Sequence, residues 1–359
     1  MPSRPRGETV LEGEVGVYHC WSRCVRRAFL CGQDPYSGKD YEYRRDWIRQ
    51  FQERLAGVFG IEIGFHAEMS NHIHLILRTR PDVVDRWTDE EVARRWLTVT
   101  HLIRSKDGQT IKPLSDLRIA METSDPQRVE ILRTRLASVS FFMAALCEHV
   151  ARRSNFEDHT KGSFWEDRFK CRDLADEAAI LVCGIYIDLN QIRAGEALTP
   201  ELSTHTSAYD RIAGRQQRLD AAAKGVKSPT ADTTVDGWLC ELTLAEGHTV
   251  ADKSAGVGSV TSRRASDKGL LPITLEEYLR LLDASGRIVC DGKSGFIPDH
   301  VAPILERLGV NADVWSELIT KFDDWFGHVV GRAEQLVDRA SRAGRRWYWG
   351  RARCADAFG

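Results

Sequence analysis

IEIGFHAEMSNHIHLILRTR, residues 61–80, predicts the sheet on which the fold is built. Two runs rich in β-branched and aromatic residues flank a short Ser-Asn step, a pattern typical of an antiparallel hairpin. Side chains alternate between the two faces of a strand, and the second run places four side chains on one face. These are His72, His74, Ile76 and Arg78. The opposite face is entirely aliphatic, which predicts that it packs in a core.

The residues on either side of the hairpin predict a layered domain. Residues 15–23 alternate and are rich in aromatic and β-branched types, so we expect a strand there. Residues 44–60 carry apolar side chains at helical spacing and end at Gly60, which predicts a helix with a glycine stop. Strand, helix, strand and strand in this order indicate an α+β domain with a central, mostly antiparallel sheet.

Helical patterns dominate the next hundred residues. A helical insertion is predicted at about 81–160, with Thr88 as the N-cap of its first helix and one long amphipathic helix at 127–155. A further strand is predicted within 162–174. The following helix is expected to begin after Asp176, as N-cap, and to end before Gly195, as the C′ residue.

The second half of the chain predicts a different organisation. Residues 213–268 have weak periodicity and many small polar residues, so we interpret them as a linker with a short ordered piece around 238–244. Residues 269–359 predict a helical C-terminal region. Thr274 and Glu277 have the spacing of a capping box at its first helix. The first domain is therefore expected to occupy residues 1–212.

Composition bounds the class of protein. The 359 residues carry a net charge of −2, which is unlike a wholly basic nucleic-acid coat. The nine cysteines include no paired CxxC motif, so we expect reduced thiols and a cytoplasmic protein. No apolar run of about 18 residues occurs and the first residues contain no apolar stretch, so we expect neither a membrane span nor a secretory signal.

An arginine-rich segment lies near the C-terminus. Residues 338–354 contain six arginines around Trp347, Tyr348 and Trp349. Arginines interleaved with aromatic rings suit neutralisation of a phosphate backbone together with stacking of unpaired bases. A solvated terminal segment explains the same composition, and the sequence leaves the two interpretations open.

The chemical interpretation begins with His72 and His74. Two imidazoles on one face of a strand lie about 7 Å apart along it, close enough to converge on one ion. Neutral histidine is the commonest metal ligand in proteins. A His-x-His pair also arises often by chance, so it indicates a site only together with a partner.

Tyr186 and Asn190 are the candidate partner, in YIDLNQIRAG. They are four residues apart on a predicted helix and therefore share one face. Two imidazoles and an amide oxygen make a mixed nitrogen and oxygen ligand set with open positions, which suits Mg²⁺ or Mn²⁺ better than a structural zinc ion. A nearby cation favours the phenolate of a tyrosine, which can then attack a phosphodiester. The covalent tyrosine–phosphate linkage conserves the energy of the broken phosphodiester bond, so that the DNA can be rejoined. The predicted chemistry is therefore cleavage and religation.

Three blocks in this order resemble the HUH-type single-strand transposases, and the nearest branch is that of the bacterial REP-associated tyrosine transposases. The blocks are MSNHIHLIL, GSFWEDRFK and YIDLNQIRAG, and the resemblance spans residues 14–212. It implies the HUH nuclease fold, a ferredoxin-like sheet with helices on one face. It also implies that single-stranded, hairpin-flanked DNA is cut and rejoined through a 5′-phosphotyrosine.

The resemblance carries roles over to particular residues. His72 and His74 match the family's metal ligands, Tyr186 matches its nucleophile, and Asn190 matches the polar residue beside the metal. Trp165, Arg168 and Phe169 match a Trp-x-x-Arg-Phe block. The family commonly has proline after the asparagine, whereas this chain has Gln191, which predicts a longer helix end.

Basic side chains near these blocks are candidates for DNA contact. They are Arg23, Arg168, Lys170, Arg172 and Arg193. His66 and Glu68, on the first strand of the hairpin, are candidates for an outer layer of the metal site. The expected partner is single-stranded or hairpin DNA, with the protein a monomer or homodimer.

Two other functions remain open from the sequence. One is a domesticated DNA-binding protein that keeps the fold without cleavage. The other is a metal-dependent hydrolase, which would not need Tyr186.

Overall fold

The computed structural model of the chain describes residues 9–25, 30–35, 37–108, 113–252, 263–291, 305–306 and 309–358. Five strands within these ranges form one sheet. They are β1 (Val17–Arg23), β2 (Ile61–Glu68), β3 (His72–Thr79), β4 (Lys170–Leu174) and β5 (Val329–Val330).

Helices fill most of the remaining described chain. Before β4 they are α1 (Tyr43–Ala56), α2 (Pro81–Val84), α3 (Asp89–Arg104), α4 (Asp116–Thr123), α5 (Pro126–Leu136) and α6 (Val139–Glu157). Between β4 and β5 they are α7 (Glu177–Asp188), α8 (Asn190–Arg193), α9 (Ser207–Ala223), α10 (Leu275–Asp291), α11 (Trp315–Thr320) and α12 (Phe322–Trp325). After β5 they are α13 (Ala333–Arg342) and α14 (Arg351–Phe358), and 3-10 turns span Pro200–Leu202 and Ala312–Val314.

The order of the strands across the sheet is β2-β3-β1-β4-β5. Every neighbouring pair is antiparallel except β4 and β5, which are parallel. The predicted α+β class with a mostly antiparallel sheet is therefore confirmed. Within the described ranges, no helix is both long and apolar enough to cross a bilayer.

The two faces of β3 separate as the alternation predicts. The aliphatic face, Ile73, Leu75 and Leu77, is buried in a core with α1 and α6. Ile76, on the histidine face, belongs to a second core with α7, α10 and α11. Helices thus cover both faces of the sheet, whereas the prediction placed them on one face and only the tyrosine helix on the other. The additional helices come from the C-terminal region, whose apolar faces require burial.

A β-bulge in β2 changes the face of its last residues. The pairing register with β3 shifts between Ile63 and Phe65. An inserted residue reverses the alternation, so Phe65 joins the core on the histidine side while Ile63 packs on the α1 side. His66 and Glu68 consequently pair beside Leu75 and Ile73 on the α1 side. They lie on the face opposite His72 and His74, and the outer-layer role predicted for them is wrong.

The predicted linker is packed rather than extended. Its first residues belong to α9, and Trp238 and Leu239 are fully buried. The backbone amide of Cys240 donates to the carbonyl of Ile63 over 2.8 Å, so this segment protects the edge of β2. The described part of the stretch, 213–252 and 263–268, therefore stabilises the sheet. Residues 253–262 lie outside the described residues.

Helix ends were predicted well where a cap is present. The side chain of Thr88 accepts from Glu91 N, and that of Asp176 accepts from Ala179 N. Gly195 has a φ of 71°, as its C′ position requires. Glu277 and Thr274 form the predicted capping box at α10.

Other boundaries differ from the prediction. Helix α1 ends at Ala56 with Gly57 as its C-cap, whereas the prediction ended it at Gly60. The single long helix predicted for 127–155 is two helices, because Ser138 adopts an extended conformation between α5 and α6. The C-terminal region is not purely helical, since β5 adds a strand to the sheet. Within this predicted helical region, residues 292–304 and 307–308 lie outside the described residues.

A buried ionic cluster joins α9 to the α1 side of the sheet. His66 Nδ1 lies 3.1 Å from Glu68 Oε2, and His66 Nε2 lies 3.4 Å from Asp210 Oδ2. Arg49 pairs with Asp210 at 2.7 Å, and Gln52 Nε2 donates to Glu68 over 2.7 Å. Burial lowers the pKa of His66, but the two carboxylates outweigh burial and raise this pKa to about 9. His66 is therefore protonated at neutral pH.

This cluster predicts a loss of stability at high pH. Folded His66 holds its proton up to about pH 9, whereas the unfolded chain releases it near about 6.5. The folded state binds more protons in this interval, so its stability falls as the pH rises. Between pH 6.5 and 9.5, we expect wild type to lose on the order of 2–3 kcal/mol more unfolding free energy than His66→Gln. Urea unfolding followed by circular dichroism measures both.

The comparison between the two proteins isolates His66. Burial lowers the pKa of Lys268 to about 8, so Lys268 changes stability in the opposite sense over the same interval. Its contribution is common to both proteins and cancels in their difference. Equal pH dependence in wild type and His66→Gln would contradict the charged cluster.

Candidate active site

One cleft, of about 480 Å³, brings together the two strand histidines and the helix tyrosine. Its lining comes from β1, β3, the segment before β4, α7 and α12. The lining residues are Trp21, Ser22, Arg23, His72, His74, Glu166, Asp167, Arg168, Lys170, Tyr186 and Asp323. Residues that are 114 positions apart in the sequence, His72 and Tyr186, thus share one site.

Helix α7 holds Tyr186 in a fixed orientation. All of its residues from Ala178 to Asp188 are buried, and its N-terminus is capped by Asp176 and joined to β5 through the Arg332 amide. A helix buried on every side cannot rotate without opening the core. Tyr186 therefore faces the histidine strand, with its ring centroid 6.0 Å from that of His74.

Both strand histidines are neutral at physiological pH. Burial, followed by the charge of Arg23, lowers the pKa of His72 to about 4. Burial and the neighbouring imidazoles lower the pKa of His74 well below its usual value. Their ring centroids are 4.7 Å apart. A neutral imidazole keeps a lone pair on one nitrogen, which is the form that binds a metal ion.

Each of these two rings is oriented by a second contact at Nδ1. Asn71 Oδ1 lies 2.5 Å from His72 Nδ1, and His19 Nε2 lies 2.9 Å from His74 Nδ1. With these contacts made, Nε2 of each ring has no hydrogen bond to any of the described residues. An Nδ1 contact that leaves Nε2 for the ion is the usual arrangement of a metal-binding histidine.

His19 was missed by the sequence interpretation. It is fully buried on β1 and stacks on Trp21 and His74, with centroids 4.8 and 5.1 Å away. Its Nδ1 is buried with no hydrogen-bond partner among the residues that the structure describes. In the sequence, His19 could be noticed only because it is two residues from Trp21 on one predicted strand, so that both side chains share a face. The pairing of this strand with β3, which brings His19 to His74, is known only from the fold.

Tyr186 is buried and engaged in this structure. It is 7% exposed, and its hydroxyl donates to Asp323 Oδ2 over 2.7 Å. Phe322 stacks on its ring with a centroid distance of 5.1 Å, and the Arg193 guanidinium carbon lies 4.9 Å from the ring centroid. Burial and the charge of Asp323 raise the pKa of Tyr186 well above its usual value. The surrounding protein groups therefore favour the protonated phenol.

Asp323 is the second residue that the sequence interpretation missed. It is the second residue of α12 in the C-terminal region, 137 residues after Tyr186. Its side chain is 45% exposed, and Arg172 pairs with it at 3.0 Å. Partial burial raises the pKa of Asp323, but the charge of Arg172, the hydrogen bond from Tyr186 and the neighbouring His74 together outweigh burial and lower this pKa below its usual value. The phenol of Tyr186 thus faces an ionised carboxylate.

Asn190 does not join the cleft as directly as predicted. The chain remains close to helical geometry at Leu189, so Asn190 follows Tyr186 by about one turn in α8. Asn190 is buried, and its Nδ2 has no hydrogen-bond partner in the described part of the chain. It is absent from the described lining of the cleft. Its role as a third metal ligand stays a prediction.

Four of the five basic residues predicted to contact DNA surround the cleft. Arg23, Arg168 and Lys170 line it and are exposed. Arg193 is exposed beside Tyr186, and one of its nitrogens donates to Thr320 O over 2.6 Å. Their positions allow contact with a phosphate that enters the cleft.

Arg172 differs from the other four. It is 4% exposed, and its guanidinium donates to the carbonyls of Gly327 and Phe326 as well as to Asp323. All three of its nitrogens are therefore engaged with the C-terminal region. Arg172 therefore fastens the C-terminal region to the sheet through these hydrogen bonds, whereas the prediction placed it in contact with phosphate.

The donor set fits a metal ion in part. His72 and His74 are neutral, lie close together and keep Nε2 for a ligand. In the described residues, no three side chains of His, Cys, Asp or Glu are grouped so as to hold an ion. An ion at this site would therefore take its other ligands from Asn190, the substrate or water, as Mg²⁺ commonly does.

Comparison of the chain with models of known protein families, with curated proteins and with solved structures gave no match.

Proposed function

We propose that this protein is a transposase of the HUH type, which cuts and rejoins single-stranded, hairpin-flanked DNA through a covalent 5′-phosphotyrosine. The observation that carries the proposal is the meeting of His72, His74 and Tyr186 in one cleft. The tyrosine ring reaches this cleft from α7, and its centroid lies 6.0 Å from that of His74. A carboxylate, Asp323, accepts the hydrogen bond of the phenol.

The topology supports the finer assignment of the fold. Antiparallel strands in the order β2-β3-β1-β4, with α1 and α6 on one face, follow the ferredoxin-like arrangement. The tyrosine helix α7 packs on the other face, where the histidine pair lies. This arrangement is what the resemblance to the HUH nucleases implies.

His72 and His74 would hold the divalent ion, Mg²⁺ or Mn²⁺. A bound cation offsets the negative charge that develops on a phosphodiester during displacement. For His74 to bind through Nε2, its Nδ1 must carry the proton and donate it to His19 Nε2. His19 then keeps its own proton on Nδ1. His19 thus acts as a positioning residue, since it selects the tautomer of His74.

Asp323 would take the proton of the nucleophile. As the Tyr186 oxygen begins to bond to phosphorus, its acidity increases, and the carboxylate 2.7 Å away accepts the proton. The bond between tyrosine oxygen and phosphorus forms while the bond from phosphorus to the 3′ oxygen breaks. The departing 3′ oxygen takes a proton from solvent, and Asp323 later releases one to solvent. Rejoining reverses these steps.

The proposal is tested with hairpin DNA labelled at its 3′ end and incubated with Mn²⁺. Attack by Tyr186 leaves the 5′-phosphate side of the break on the protein, so the 3′ label should migrate with it in a denaturing gel. Free 5′-phosphate ends without any adduct would support a hydrolase instead. Binding without cleavage at every Mn²⁺ concentration would support the DNA-binding alternative, which the burial of Tyr186 favours.

Replacing Asp323 by asparagine is expected to slow adduct formation by about 10²- to 10⁴-fold. The amide oxygen of asparagine can still accept the hydrogen bond of Tyr186, but it cannot accept the proton at neutral pH. The initial rate of adduct formation at saturating DNA measures the effect. Asp324→Asn is the matched control, because Asp324 is the adjacent exposed carboxylate and does not line the cleft in the described structure.

The opposite result would assign Asp323 another role. If Asp323→Asn formed the adduct as fast as wild type or faster, the carboxylate would restrain Tyr186 rather than activate it. Thermal unfolding of both variants shows whether the loss of the Arg172 pair changes the fold.

A further inference from the structure

A second cavity, of about 460 Å³, lies in the C-terminal region. We call its lining the Arg–Trp platform, which consists of His328, Arg345, Arg346, Trp347, Tyr348 and Trp349. Most of it is the connection between α13 and α14, and His328 directly precedes β5. The proposed chemistry of the cleft uses none of these residues.

The platform presents indole rings to solvent. Trp347 is 63% exposed and Trp349 is 57% exposed, while Tyr348 between them is 6% exposed and is part of the core. A buried tyrosine anchors the segment, so the two tryptophans on either side of it are held outward. Exposed large aromatic side chains that cluster on a surface mark a binding site. Rings held in this way suit stacking of planar ligands.

The charge of the segment specifies the kind of planar ligand. Between residues 339 and 355 the chain has six arginines and no acidic residue. Arg339 and Arg342 pair with Asp173 and Glu14 elsewhere in the protein. Arg345 and Arg346 line the platform, and the guanidinium carbon of Arg345 lies 5.8 Å from the ring centroid of Tyr348. Arginine beside exposed aromatic rings matches a phosphate backbone with unpaired bases. A duplex is a poorer match, because its base faces are already stacked on one another.

The platform is structurally continuous with the candidate active site. A Cβ atom placed on Gly327 would lie 3.5 Å from Cε3 of Trp349, so the indole rests on this glycine. The carbonyl of Gly327 accepts a hydrogen bond from Arg172 over 2.6 Å, and Arg172 pairs with Asp323 in the cleft. The segment from Asp323 to His328 therefore contributes residues to both sites.

We propose that the Arg–Trp platform binds unpaired nucleotides of single-stranded DNA outside the cleft, with bases on Trp347 and Trp349 and phosphates on Arg345 and Arg346. The choice of DNA rests on the proposed function. Binding at the platform itself requires neither cleavage nor a metal ion. It would hold one arm of the substrate while the cleft acts on another part of the same strand.

The test measures the affinity of the full-length protein for a fluorescein-labelled oligo-dT by anisotropy, without divalent metal. Trp347→Ala and the double variant with Trp349→Ala are expected to weaken binding by about 10- to 100-fold. Phe156→Ala is the matched control, because Phe156 is 71% exposed on α6, a helix whose buried side chains belong to a different core from that of Tyr348. Trp347→Tyr combined with Trp349→Tyr should keep most of the affinity, since a tyrosine ring can also stack on a base.

A salt titration tests the phosphate contacts separately. The double variant Arg345→Ala and Arg346→Ala should lower the slope of log affinity against log salt by about 1.4, corresponding to two contacts on a single strand. Unchanged affinity in the tryptophan variants overturns the proposal. Tighter binding of a duplex or of oligo-U than of oligo-dT also overturns it.

The two proposals can fail independently. If wild type binds oligo-dT through the platform but forms no adduct, the proposed cleavage is wrong and the proposed binding site stands. If wild type forms the adduct but its DNA affinity does not depend on Trp347 or Trp349, the proposed binding site is wrong and the proposed cleavage stands.

Discussion

Replacing Tyr186 by phenylalanine is expected to abolish the covalent protein–DNA adduct, with a loss of at least about 10⁴-fold in its rate of formation. The phenyl ring keeps the stacking on Phe322 and the packing of α7, so only the hydroxyl is lost. Of the hydroxyl groups in the described lining of the cleft, that of Tyr186 is hydrogen-bonded to Asp323, whereas that of Ser22 contacts Cys147 Sγ at 3.3 Å. Transfer of a 3′ DNA label to the protein in a denaturing gel measures the loss.

Tyr43→Phe is the control for the removal of a tyrosine hydroxyl. Tyr43 is 49% exposed at the start of α1, and its hydroxyl donates to Glu157. The adduct should form in this variant at the rate of wild type. If Tyr186→Phe formed the adduct at a rate within about tenfold of wild type, another residue would be the nucleophile. The assignment of Tyr186 in the proposed function would then be wrong.

Removing the histidine pair is expected to remove binding of the divalent ion. His72→Ala and His74→Ala should each weaken Mn²⁺ binding by more than about 100-fold, beyond the effect usual for an outer partner of a ligand. Calorimetric titration with Mn²⁺ alone measures this loss without DNA or catalysis. Adduct formation should fall in parallel, because the charge on the phosphate is then no longer offset.

Two further variants make this test specific. His248→Ala removes a histidine that is 40% exposed and should leave Mn²⁺ binding unchanged. His74→Gln keeps most of the volume next to His19, so it separates loss of a ligand from collapse of the buried site. Full Mn²⁺ affinity in both His72→Ala and His74→Gln would contradict the metal site.

Local patterns were sufficient for part of the fold and of the site. Alternation along 72–79 placed His72 and His74 on the face opposite the aliphatic core. Capping residues such as Thr88 and Asp176 marked the starts of helices, because a cap is a contact within a single turn. These features depend on neighbours a few residues away, and the sequence displays such neighbours directly.

Two predictions from the sequence were wrong, one because of an inserted residue in a strand and the other because composition does not show which side chains are buried. The bulge after Ile63 reversed the faces of His66 and Glu68, although the strand itself was predicted. The predicted linker is rich in small polar residues, yet its Trp238 is fully buried and the carbonyl of its Cys240 accepts a hydrogen bond from Arg211. Composition averages over a segment and does not show which few side chains are inside the core.

By itself, the sequence determined the sheet-forming hairpin, the histidine face and the helix that carries Tyr186. Only the tertiary structure decided that His19 orients His74, that Asp323 accepts the hydrogen bond of Tyr186, and that β5 joins the sheet. The physical reason is that periodicity reflects contacts within one element. A contact between elements depends on which apolar faces are buried together, and that choice is made by the whole chain at once.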